Sequence, residues 1–452
     1  MKLQLENTRK IYFLGIGGIG MSALARYFHA KGKVIHGYDK TMTDLTRELA
    51  EEGMVIHYMD DPGMIPADID LVIYTPAIPN TLDEFSFLKE SGIPMLKRAE
   101  VTGLITSGKI TVAVAGTHGK TSISSMIAHI LMQAGFPVTA LIGGISKNYN
   151  TNFISSGKEE IMIVEADEYD RSFLSLFPDI AVISAMDPDH LDIYGTAEEV
   201  RHSFNAFARN IKPAGQLVIR DGMSVILKPG IRRIDYAVDE LSDYFAVNLR
   251  TEEGYQLFDL VSGELQWKGL RLQIPGRHNV ENTLASIAVC RVLNAGEIDI
   301  VEGIASFTGV RRRFDFRVRK PEVVYIDDYA HHPRELTAFI TAVRQLFPGK
   351  KLTGLFQPHL YSRTRDFAGD FARSLDLLDE AWLLDIYPAR ELPIPGVTSE
   401  MILGLMTLPE RKLLSKEQVL DLVGKKKPGI FLTIGAGDID MLVEPITKLL
   451  QS

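Results

Sequence analysis

The sequence predicts an α/β fold of three domains, and three observations lead to this prediction. Apolar runs of strand length alternate with longer helical patterns almost throughout the 452 residues, which is typical of parallel sheets with crossover helices. A new strand that ends in a glycine loop begins near residue 107. A third series of strands and helices follows the basic segment GVRRRFDF. We therefore expect Rossmann-like domains at 1–106 and 316–452, with a central α/β domain at 107–315 that carries a phosphate-binding loop.

The elements of the first domain follow from its apolar runs. KIYFLGI is a predicted strand that leads through Gly15–Gly20 into the helix MSALARYFHAKG. KVIHGYD is the next strand and ends at Asp39, and LVIYT and IPMLK complete the series. This arrangement predicts that the glycine loop opens at the carboxyl edge of a parallel sheet, where α/β proteins bind ligands.

The central and third domains are predicted in the same way. Central strands are expected at ITVAVAG, IMIVEADE, IAVISAMD and QLVIR, and alternating apolar positions over 230–272 favour a small antiparallel sheet. GRHNVENTLASIAVCRVL is a predicted helix entered through Asn279, and Cys290 within it is expected to be buried and inert. The third domain repeats the doubly wound pattern with EVVYIDD, KLTGLFQP, EAWLLDI and GIFLTIG, and its last loop is either a phosphate loop or a plain helix start.

Composition narrows the classes of function. The net charge of −9 argues against a nucleic-acid-binding protein, which needs a basic surface. With one cysteine, an intramolecular disulfide is impossible. The N-terminal segment MKLQLENTRK has no apolar signal core, and no run of about 18 apolar residues occurs, so that we expect a cytoplasmic protein without a membrane span.

The first glycine loop, GIGGIG at 15–20, fits the G-x-G-x-x-G template of phosphate-containing ligands. Gly15 permits the tight turn, Gly17 lets the backbone approach a phosphate, and Gly20 allows close packing of helix on strand. The residues leave three interpretations open: a dinucleotide such as NAD or FAD, a nucleotide diphosphate of another kind, or a turn without a ligand.

The second glycine loop, VAVAGTHGKTS at 112–122, is more specific and predicts an ATP site. A strand ends at Gly116, Gly119-Lys120-Thr121 follows, and a helix begins, as at the end of a phosphate-binding loop. Lys120 can contact the β- and γ-phosphates, and the Thr121 hydroxyl can bind magnesium. The loop is shorter than the usual one, because its first glycine would fall at Val114. The competing interpretation is an ordinary strand–helix turn.

Two acidic segments follow strands in this domain. Glu165 ends the strand of IMIVEADEYD and is a candidate magnesium ligand beside the triphosphate loop, while its acidic neighbours are expected to be outer-sphere or solvated. The second segment, AMDPDHLDIYG, brings His190 among three aspartates. Histidine favours zinc and carboxylates favour magnesium, so that the residues alone leave open whether His190 is a ligand.

Taken together, these segments resemble the Mur ligase family. GIGGIGMSALA, GTHGKTS, EADEYDRSF, DHLDIYG, GRHNVENTLA, GVRRRFDF, DDYAHHP, FQPHLYSRTRDF and YPARELPIPGV occur in the order of its alanine-adding branch, over nearly the whole chain. The resemblance implies ATP-dependent joining of L-alanine to UDP-N-acetylmuramate in peptidoglycan precursor synthesis. Its first domain would bind the UDP moiety, its second ATP, and its third would close on the others and help bind the amino acid. The alternative is a muropeptide-recycling ligase that joins a peptide to the same sugar nucleotide.

The resemblance also implies the roles of individual residues in three sites. The UDP-sugar site would comprise Gly15, Gly17, Gly18, Gly20, Asp39, Thr75 and Ala77. The ATP site would comprise Gly116, Thr117, His118, Gly119, Lys120, Thr121, Ser122, His278, Asn279, Asn282, Arg312, Arg313, Asp327 and Asp328. The Mg²⁺ ligands would be Thr121, Glu165 and His190, and the catalytic residues Lys120, His331 and Arg363.

The implied mechanism passes through an acyl phosphate, and His331 is the candidate base for the alanine amine. Domain closure would exclude water from this intermediate. From the residues alone, His331 and His332 could instead cap a helix, and Arg363 and Arg365 could be surface ion-pair partners. Two departures from the family pattern are Asn205, where later-acting relatives carry a modified lysine, and Leu360, where some alanine-adding relatives have arginine. We expect a monomer or weak homodimer.

Overall fold

The computed structural model describes residues 5–187, 194–252, 254–389 and 391–451. The fold is mixed α/β, which confirms the predicted class. The chain forms two compact units, one of residues 1–237, 242–244 and 283–303, and one of residues 238–241, 245–282 and 304–452. Because the first unit contains the predicted N-terminal domain and much of the central one, the domain boundaries near residues 107 and 316 stay predictions.

The N-terminal sheet of the first unit is parallel, with the strand order β3-β2-β1-β4-β5. Its elements are β1 (Lys10–Leu14), α1 (Ile19–Ala30), β2 (Val34–Tyr38), α2 (Asp44–Glu51), β3 (Val55–His57), β4 (Leu71–Tyr74), α3 (Asp83–Glu90), β5 (Met95–Lys97) and α4 (Arg98–Thr106). The chain winds one way from β1 to β3 and the other way through β4 and β5. The loop after β1 therefore opens at the point of reversal, where a crevice forms.

The central sheet of the first unit has the order β12-β11-β10-β6-β9-β7-β8, and its neighbours are parallel except β7 and β8. Its elements are β6 (Ile110–Ala115), α5 (Lys120–Gln133), β7 (Val138–Ser146), β8 (Thr151–Ser155), β9 (Ile161–Ala166), β10 (Ile180–Ile183), α6 (Ala197–Arg209), β11 (Gln216–Arg220) and β12 (Arg232–Val238). Strand β6 lies between β9 and β10 in the middle of the sheet. The second glycine loop therefore follows a central strand whose residues from Val112 to Ala115 are fully buried.

The two sheets of the first unit share one apolar core, which includes Phe13 and Leu24 from one side and Met162 and Phe204 from the other. Helix α1 also bonds to β8 through Asn152, whose side-chain amide donates to the Ile19 carbonyl at 2.7 Å and to Ser22 Oγ at 2.8 Å. Asn152 is fully buried, so that these bonds satisfy a polar group that would otherwise destabilise the core.

The second unit contains an antiparallel meander and a sheet with the order β16-β17-β21-β18-β19-β20, which is parallel except for β16. The remaining elements of the chain are β13 (Tyr244–Glu252), β14 (Tyr255–Ser262), β15 (Leu265–Leu272), α7 (Arg277–Val292), α8 (Glu297–Ser306), β16 (Asp315–Arg319), β17 (Val324–Asp328), α9 (Pro333–Leu346), β18 (Leu352–Phe356), α10 (Tyr361–Leu375), β19 (Glu380–Leu383), α11 (Ser399–Leu405), β20 (Arg411–Leu413), α12 (Lys416–Lys426), β21 (Ile430–Ile434) and α13 (Val443–Gln451).

Several details differ from the sequence-based predictions. The segment 230–272 is antiparallel only from β13 onward, because β12 pairs in parallel with β11. Helix α7 begins at Arg277, two residues before the expected entry at Asn279. Cys290 is fully buried, as predicted, and burial raises the pKa of its thiol. Among the helices of the described ranges, each is too short or too polar to cross a bilayer.

Candidate active site

The second glycine loop connects the buried end of β6 to the start of α5. Gly116 and Gly119 have φ angles of 137° and 83°, a region that favours glycine. A Cβ at Gly116 would also overlap the Ser184 hydroxyl of β10's loop. Helix α5 has no side-chain cap at its N-cap Gly119, which leaves the amides of Lys120, Thr121 and Ser122 at an open helix start. Such a start suits phosphate oxygens.

Lys120, the first residue of α5, points back over this loop. Its ammonium Nζ lies 2.7 Å from the Gly116 carbonyl and 2.9 and 2.7 Å from the two carboxylate oxygens of Glu168. Burial, the largest single effect, would lower the pKa of the Lys120 ammonium, but Glu168, Asp167 and Glu165 together raise the pKa above its ordinary value. Lys120 is therefore charged at neutral pH, as a phosphate-binding lysine must be.

Thr121 and Glu165 form a set of hard oxygen donors beside Lys120. One Glu165 oxygen lies 3.2 Å from the Thr121 hydroxyl, and the other accepts hydrogen bonds from the Ser124 hydroxyl at 3.2 Å and from the Gly143 amide at 2.5 Å. A Cβ at Gly143 would fall 2.5 Å from this carboxylate, so that glycine is needed for the approach. A hydroxyl and a carboxylate are oxygen ligands of the kind that Mg²⁺ prefers, so that Thr121 and Glu165 could hold this ion.

The remaining predicted residues of this loop lie around the same point. Thr117 Oγ1 accepts a hydrogen bond from the Asp187 amide at 3.1 Å, and His118 Nε2 lies 3.2 Å from the Asp187 carboxylate. Within the described ranges, no group of three or more His, Cys, Asp or Glu side chains could hold a metal ion. The predicted ligand His190 lies outside the described residues, together with Asp189 and Asp192.

The first glycine loop has a different hydrogen-bond pattern. Its amides donate within the protein: Gly15 and Ile16 to the Tyr38 carbonyl, Gly18 to the Gly15 carbonyl, and Gly17 to the Asp39 carboxylate at 2.8 Å. Asp39 therefore braces the loop. The amides of residues 19–21 precede the first intrahelical bond of α1, which Ser22 donates to Gly18. Because α1 also has no side-chain cap, its start rather than the Gly17 amide is available to an anion.

The predicted residues Thr75 and Ala77 follow β4 and lie beside this loop. A Cβ at Gly15 would contact Thr75 Cγ2 at 3.3 Å and Ile78 Cδ1 at 3.2 Å, which places the two segments against each other. Ala77 is exposed. The turn is tight, since Gly15 has a φ of 82°.

Arg98, which sequence reasoning missed, lies between the two loops of the first unit. A Cβ at Gly20 would lie 3.2 Å from Arg98 Nη1, and Arg98 Nη2 lies 3.6 Å from the Asp167 carboxylate. A cleft here is lined by Arg98, Thr102, Glu165, Asp167 and Ser172. The available signal was the position of Arg98 directly after a strand of the parallel sheet.

In the second unit, two arginines and two aspartates meet at the end of β17. Arg312 Nε lies 3.3 Å from Asp327, its Nη2 donates to the Gly435 carbonyl at 2.6 Å, and the planes of Arg312 and Arg313 lie 5.1 and 4.8 Å from the Tyr329 ring centre. Arg312 adopts a φ of 62°, a costly conformation for a residue other than glycine. The strain fits a residue whose side chain must point to a defined place.

Asp328 is buried beside this cluster. Its carboxylate accepts hydrogen bonds from the Phe314 amide at 2.7 Å and the Ala330 amide at 2.8 Å. Burial raises the pKa of Asp328 to about 7, against the opposing effects of Arg313 and of both amides. Burial likewise raises the pKa of Asp327, while Arg312 opposes it.

Two histidines and two arginines of the second unit each had a catalytic and a structural interpretation, and the structure separates them. His332 is the N-cap of α9, since its Nδ1 accepts from the Arg334 amide at 3.3 Å, so that the capping interpretation holds for this residue. His331 Nδ1 lies 3.0 Å from the Tyr329 carbonyl and 3.4 Å from Glu335, which orients its ring. Arg363 is only 6% exposed and is not a surface residue, whereas Arg365 is exposed and paired with Asp366.

The predicted adenine-side residues occupy the first turns of α7. Asn279 and Asn282 are buried, and the Asn279 side chain donates to the Pro275 carbonyl at 2.9 Å. His278 is partly exposed beside Gly276, whose φ of 117° permits the tight entry to the helix. Asn279 therefore anchors the helix start from inside the helix, not from the N-cap.

Comparison with known proteins decides the family. Sequence models described as Mur ligase family, catalytic domain, Mur ligase middle domain, and Mur ligase, glutamate ligase domain match residues 10–109, 114–290 and 312–425. A UDP-N-acetylmuramate–L-alanine ligase of Parabacteroides distasonis is 49% identical, covering 99% of this chain and 98% of its own. The chain belongs to the Mur ligase family. Its second glycine loop lies within the segment that matches the Mur ligase middle domain.

Solved Mur ligases support the fold. A UDP-N-acetylmuramate-alanine ligase from Thermotoga maritima has a TM-score of 0.85 at 28% identity and covers 98% of this chain and 99% of its own. A murein peptide ligase from Psychrobacter arcticus has a TM-score of 0.70 at 20% identity and covers 98% of both chains, a likeness of fold alone. The Mur ligase assignment made from the motifs is thus confirmed.

One residue of this Mur ligase site was missed by sequence reasoning although its segment was recognised. Glu168 stands in an acidic run with Asp167 and Asp170, and composition gives no reason to choose among them. The structure singles it out, because Glu168 is 2% exposed and bonded to Lys120 whereas Asp167 is half-exposed. A usable signal was its place three residues after Glu165 at the end of β9.

Proposed function

We propose that the chain is an ATP-dependent ligase that joins L-alanine to UDP-N-acetylmuramate, giving UDP-N-acetylmuramoyl-L-alanine, ADP and phosphate. The observation that carries the proposal is the pair of glycine loops in one compact unit, of which the second has the cation and oxygen donors of phosphoryl transfer. The substrates are those named for the 49% identical relative.

The chemistry explains why a triphosphate loop is needed. A carboxylate does not acylate an amine at neutral pH, because oxide is a poor leaving group. Attack of the lactoyl carboxylate on the γ-phosphate of ATP forms an acyl phosphate and releases ADP. Attack of the alanine amine on the acyl carbon then releases phosphate. Both reactants of the first step are anions, so that cationic and amide donors must bring them together.

Residues of the second loop supply those donors. The amides at the start of α5 would bind phosphate oxygens, and Lys120 would neutralise charge on the β- and γ-phosphates. Thr121 and Glu165 would hold Mg²⁺, which would supply positive charge to the phosphates. His190 is proposed as the ligand of a second Mg²⁺ on family resemblance.

The other predicted residues keep proposed roles in this reaction. The start of α1, with Gly15, Gly17, Gly18, Gly20, Asp39, Thr75 and Ala77 around it, would bind the UDP moiety. In the second unit, His278, Asn279 and Asn282 would serve the adenine, and Arg312, Arg313, Asp327 and Asp328 the phosphates and ribose. His331 would accept the proton of the alanine ammonium, since Glu335 stabilises the charged ring. Arg363 would bind a substrate carboxylate.

Alanine-dependent phosphate release tests the proposal. The pure protein is incubated with ATP, Mg²⁺ and UDP-N-acetylmuramate, and phosphate is measured with no acceptor, with L-alanine, and with a tripeptide. We expect release that requires L-alanine and a product heavier than the sugar nucleotide by one alanine residue. Release that requires the tripeptide would instead support the recycling activity, and release independent of any acceptor would reject both.

A further inference from the structure

The ion pair between Lys120 and Glu168 is the most enclosed charge pair of the first unit's phosphate loop. Nζ of Lys120 contacts three oxygens, the Gly116 carbonyl at 2.7 Å and both Glu168 carboxylate oxygens at 2.7 and 2.9 Å. An ammonium has three N–H donors. Protein oxygens thus account for all of the lysine's hydrogen-bonding capacity, and a phosphate must replace at least one of them.

Two hydrogen bonds fix the backbone of Glu168. The Glu168 carbonyl accepts hydrogen bonds from the Tyr194 hydroxyl at 2.6 Å and from the Arg171 amide at 2.9 Å. The side chain is 2% exposed, against 17% for Lys120. Because the Glu168 backbone is bonded in this way and its side chain is less exposed than that of Lys120, we infer that Glu168 determines where the ammonium lies.

Stability does not account for a glutamate at this position. A buried ion pair loses much of its Coulomb energy to desolvation, and apolar replacements of a whole pair are often neutral or stabilising. A lysine without this carboxylate could extend its ammonium into water, since its side chain is not fully enclosed. The ion pair therefore contributes little to the free energy of folding. We infer that its role is to fix the position of the lysine ammonium.

The neighbouring glutamate has a separate task. Glu165 receives hydrogen bonds from the hydroxyls of Thr121 and Ser124 and from the Gly143 amide. The end of β9 and the turn after it thus present two carboxylates to two consecutive residues of α5. One contacts the metal-binding hydroxyl, and the other contacts the ammonium.

We propose that Glu168 is a positioning residue for phosphoryl transfer, which fixes the Lys120 ammonium over the loop before the nucleotide binds and keeps one contact to it afterwards. The inference rests on the proposed function, since it assigns ATP to this loop. Glu168 touches no substrate in this role and acts through Lys120. Phosphate oxygens replace the Gly116 carbonyl and one carboxylate oxygen, while the second carboxylate oxygen stops the ammonium from following the departing phosphoryl group.

The role predicts a split between binding and turnover. Glu168→Gln keeps the size of the side chain and removes its charge, so that Lys120 is less well fixed. We expect kcat to fall about 10- to 100-fold, the range for a misplaced catalytic group. The Kd for Mg·ADP, measured by calorimetry, should stay within about threefold of wild type or become tighter, because a negative charge near the phosphates is removed.

Three further variants sharpen the test. Glu168→Asp restores the charge and should recover part of the lost kcat. Glu199→Gln makes the same chemical change in an exposed ion pair with Arg171, 3.3 Å long, and should retain wild-type kcat. In a Lys120→Met background, Glu168→Gln should change the residual rate less than about twofold, since a residue acting only through Lys120 has nothing left to position. This double variant has no unpaired buried charge and is expected to fold.

The outcomes separate the two proposals. Wild-type kcat in Glu168→Gln, equal losses of kcat and Mg·ADP binding, or a further loss in the Lys120→Met background would each overturn the positioning role. If the wild-type protein neither binds Mg·ADP nor releases phosphate with L-alanine, the proposed function fails first. Wild-type activity combined with an unaffected Glu168→Gln variant leaves the proposed function standing and removes this inference alone.

Discussion

The two glycine loops of the first unit look alike in sequence and differ in chemistry. Both follow a buried parallel strand and both precede a helix without a side-chain cap. In the first loop, the amides from Gly15 to Gly18 donate hydrogen bonds to protein oxygens, and the acceptor of the Gly17 amide is the Asp39 carboxylate. In the second loop, Lys120 and Thr121 each contact a glutamate. We infer that either loop can bind a phosphate through its backbone amides. The side chains around the loop then determine whether the phosphate is only bound or takes part in phosphoryl transfer.

This contrast has a structural cause. The first loop is braced by a carboxylate that comes from the end of the next strand, so that its backbone is fixed before any ligand arrives. The second loop is braced through its cation, whose partner Glu168 comes from the turn after β9. We therefore expect changes in the first loop to alter binding of the sugar nucleotide, and changes in the second to alter turnover.

The largest effect is expected for Lys120→Ala. Loss of the ammonium removes charge stabilisation from the phosphoryl transfer, and we expect kcat to fall about 1,000-fold or more. The KM for UDP-N-acetylmuramate should change little, because the first loop is intact. The assay is alanine-dependent phosphate release, with circular dichroism to verify the fold. A variant with near wild-type kcat would show that the second loop does not transfer phosphate.

A smaller effect is expected for Gly17→Ala in the first loop. The new Cβ would lie 2.6 Å from Thr46 Cγ2 and 2.9 Å from Asp39 Oδ2, so that the loop must move. We expect affinity for UDP-N-acetylmuramate to fall about 100-fold, the cost of a displacement near 1 Å, with Mg·ADP binding unchanged.

The control for this variant is Gly404→Ala, because a Cβ there meets no atom within 4 Å. Its affinity for both ligands should equal that of wild type. Loss of Mg·ADP binding in Gly17→Ala would indicate that the two loops serve one ligand.

The smallest effect is a pH dependence of the free energy of unfolding, and it concerns α5 and α1, the helices that follow the two loops. His129 in α5 is 2% exposed, and burial lowers its pKa to about 4 from an ordinary value near 6.5. The folded state therefore binds fewer protons than the unfolded state between these values, and its stability is lost as the pH falls from about 6.5 to 4. The loss should reach about 3 kcal/mol at pH 4. The corresponding buried cation of α1, Arg26, stays charged throughout this range because the pKa of a guanidinium lies far above it, and the pairing with Glu52 raises that pKa further.

Chemical denaturation at several pH values measures this difference. His129→Gln should flatten the dependence of the free energy of unfolding on pH between 6.5 and 4. The control is His202→Gln, whose histidine side chain is 64% exposed and should leave the dependence as in wild type. A pH dependence in His129→Gln as steep as that of wild type would contradict the buried neutral histidine.

The strands at the sheet centres could be predicted from sequence, whereas edges and caps could not. β6, β9 and β10 are continuous buried runs that leave a clear apolar signal. β3, β5 and β20 have three residues each, and their pairing depends on neighbours distant in sequence. Asn279 was taken for a helix entry because asparagine favours caps, but its side chain bonds to Pro275 from within the helix.

The candidate site was predicted only in part, because some of its residues lie in local motifs and others depend on contacts with distant segments. Lys120, Thr121 and Glu165 follow from local motifs at the ends of strands, and the structure brings them together. Glu168 and Arg98 each follow a strand, which is a signal in the sequence. Their contacts with Lys120 and with the helix of Gly20 join segments that are far apart in sequence, and no local pattern records those contacts. The assignment of Asp39 to the ligand stays a prediction, and its carboxylate also accepts the Gly17 amide. Residue type alone does not distinguish an aspartate that braces a loop from one that binds a ligand.

Simultaneous binding tests the central claim, that the two glycine loops take different molecules, most directly. The protein is saturated with Mg·ADP and then titrated with UDP-N-acetylmuramate in a calorimeter, and the order is reversed in a second titration. We predict one mole of each ligand bound per mole of protein in both orders, with neither displacing the other. Competition between the two ligands for a single site would contradict the account.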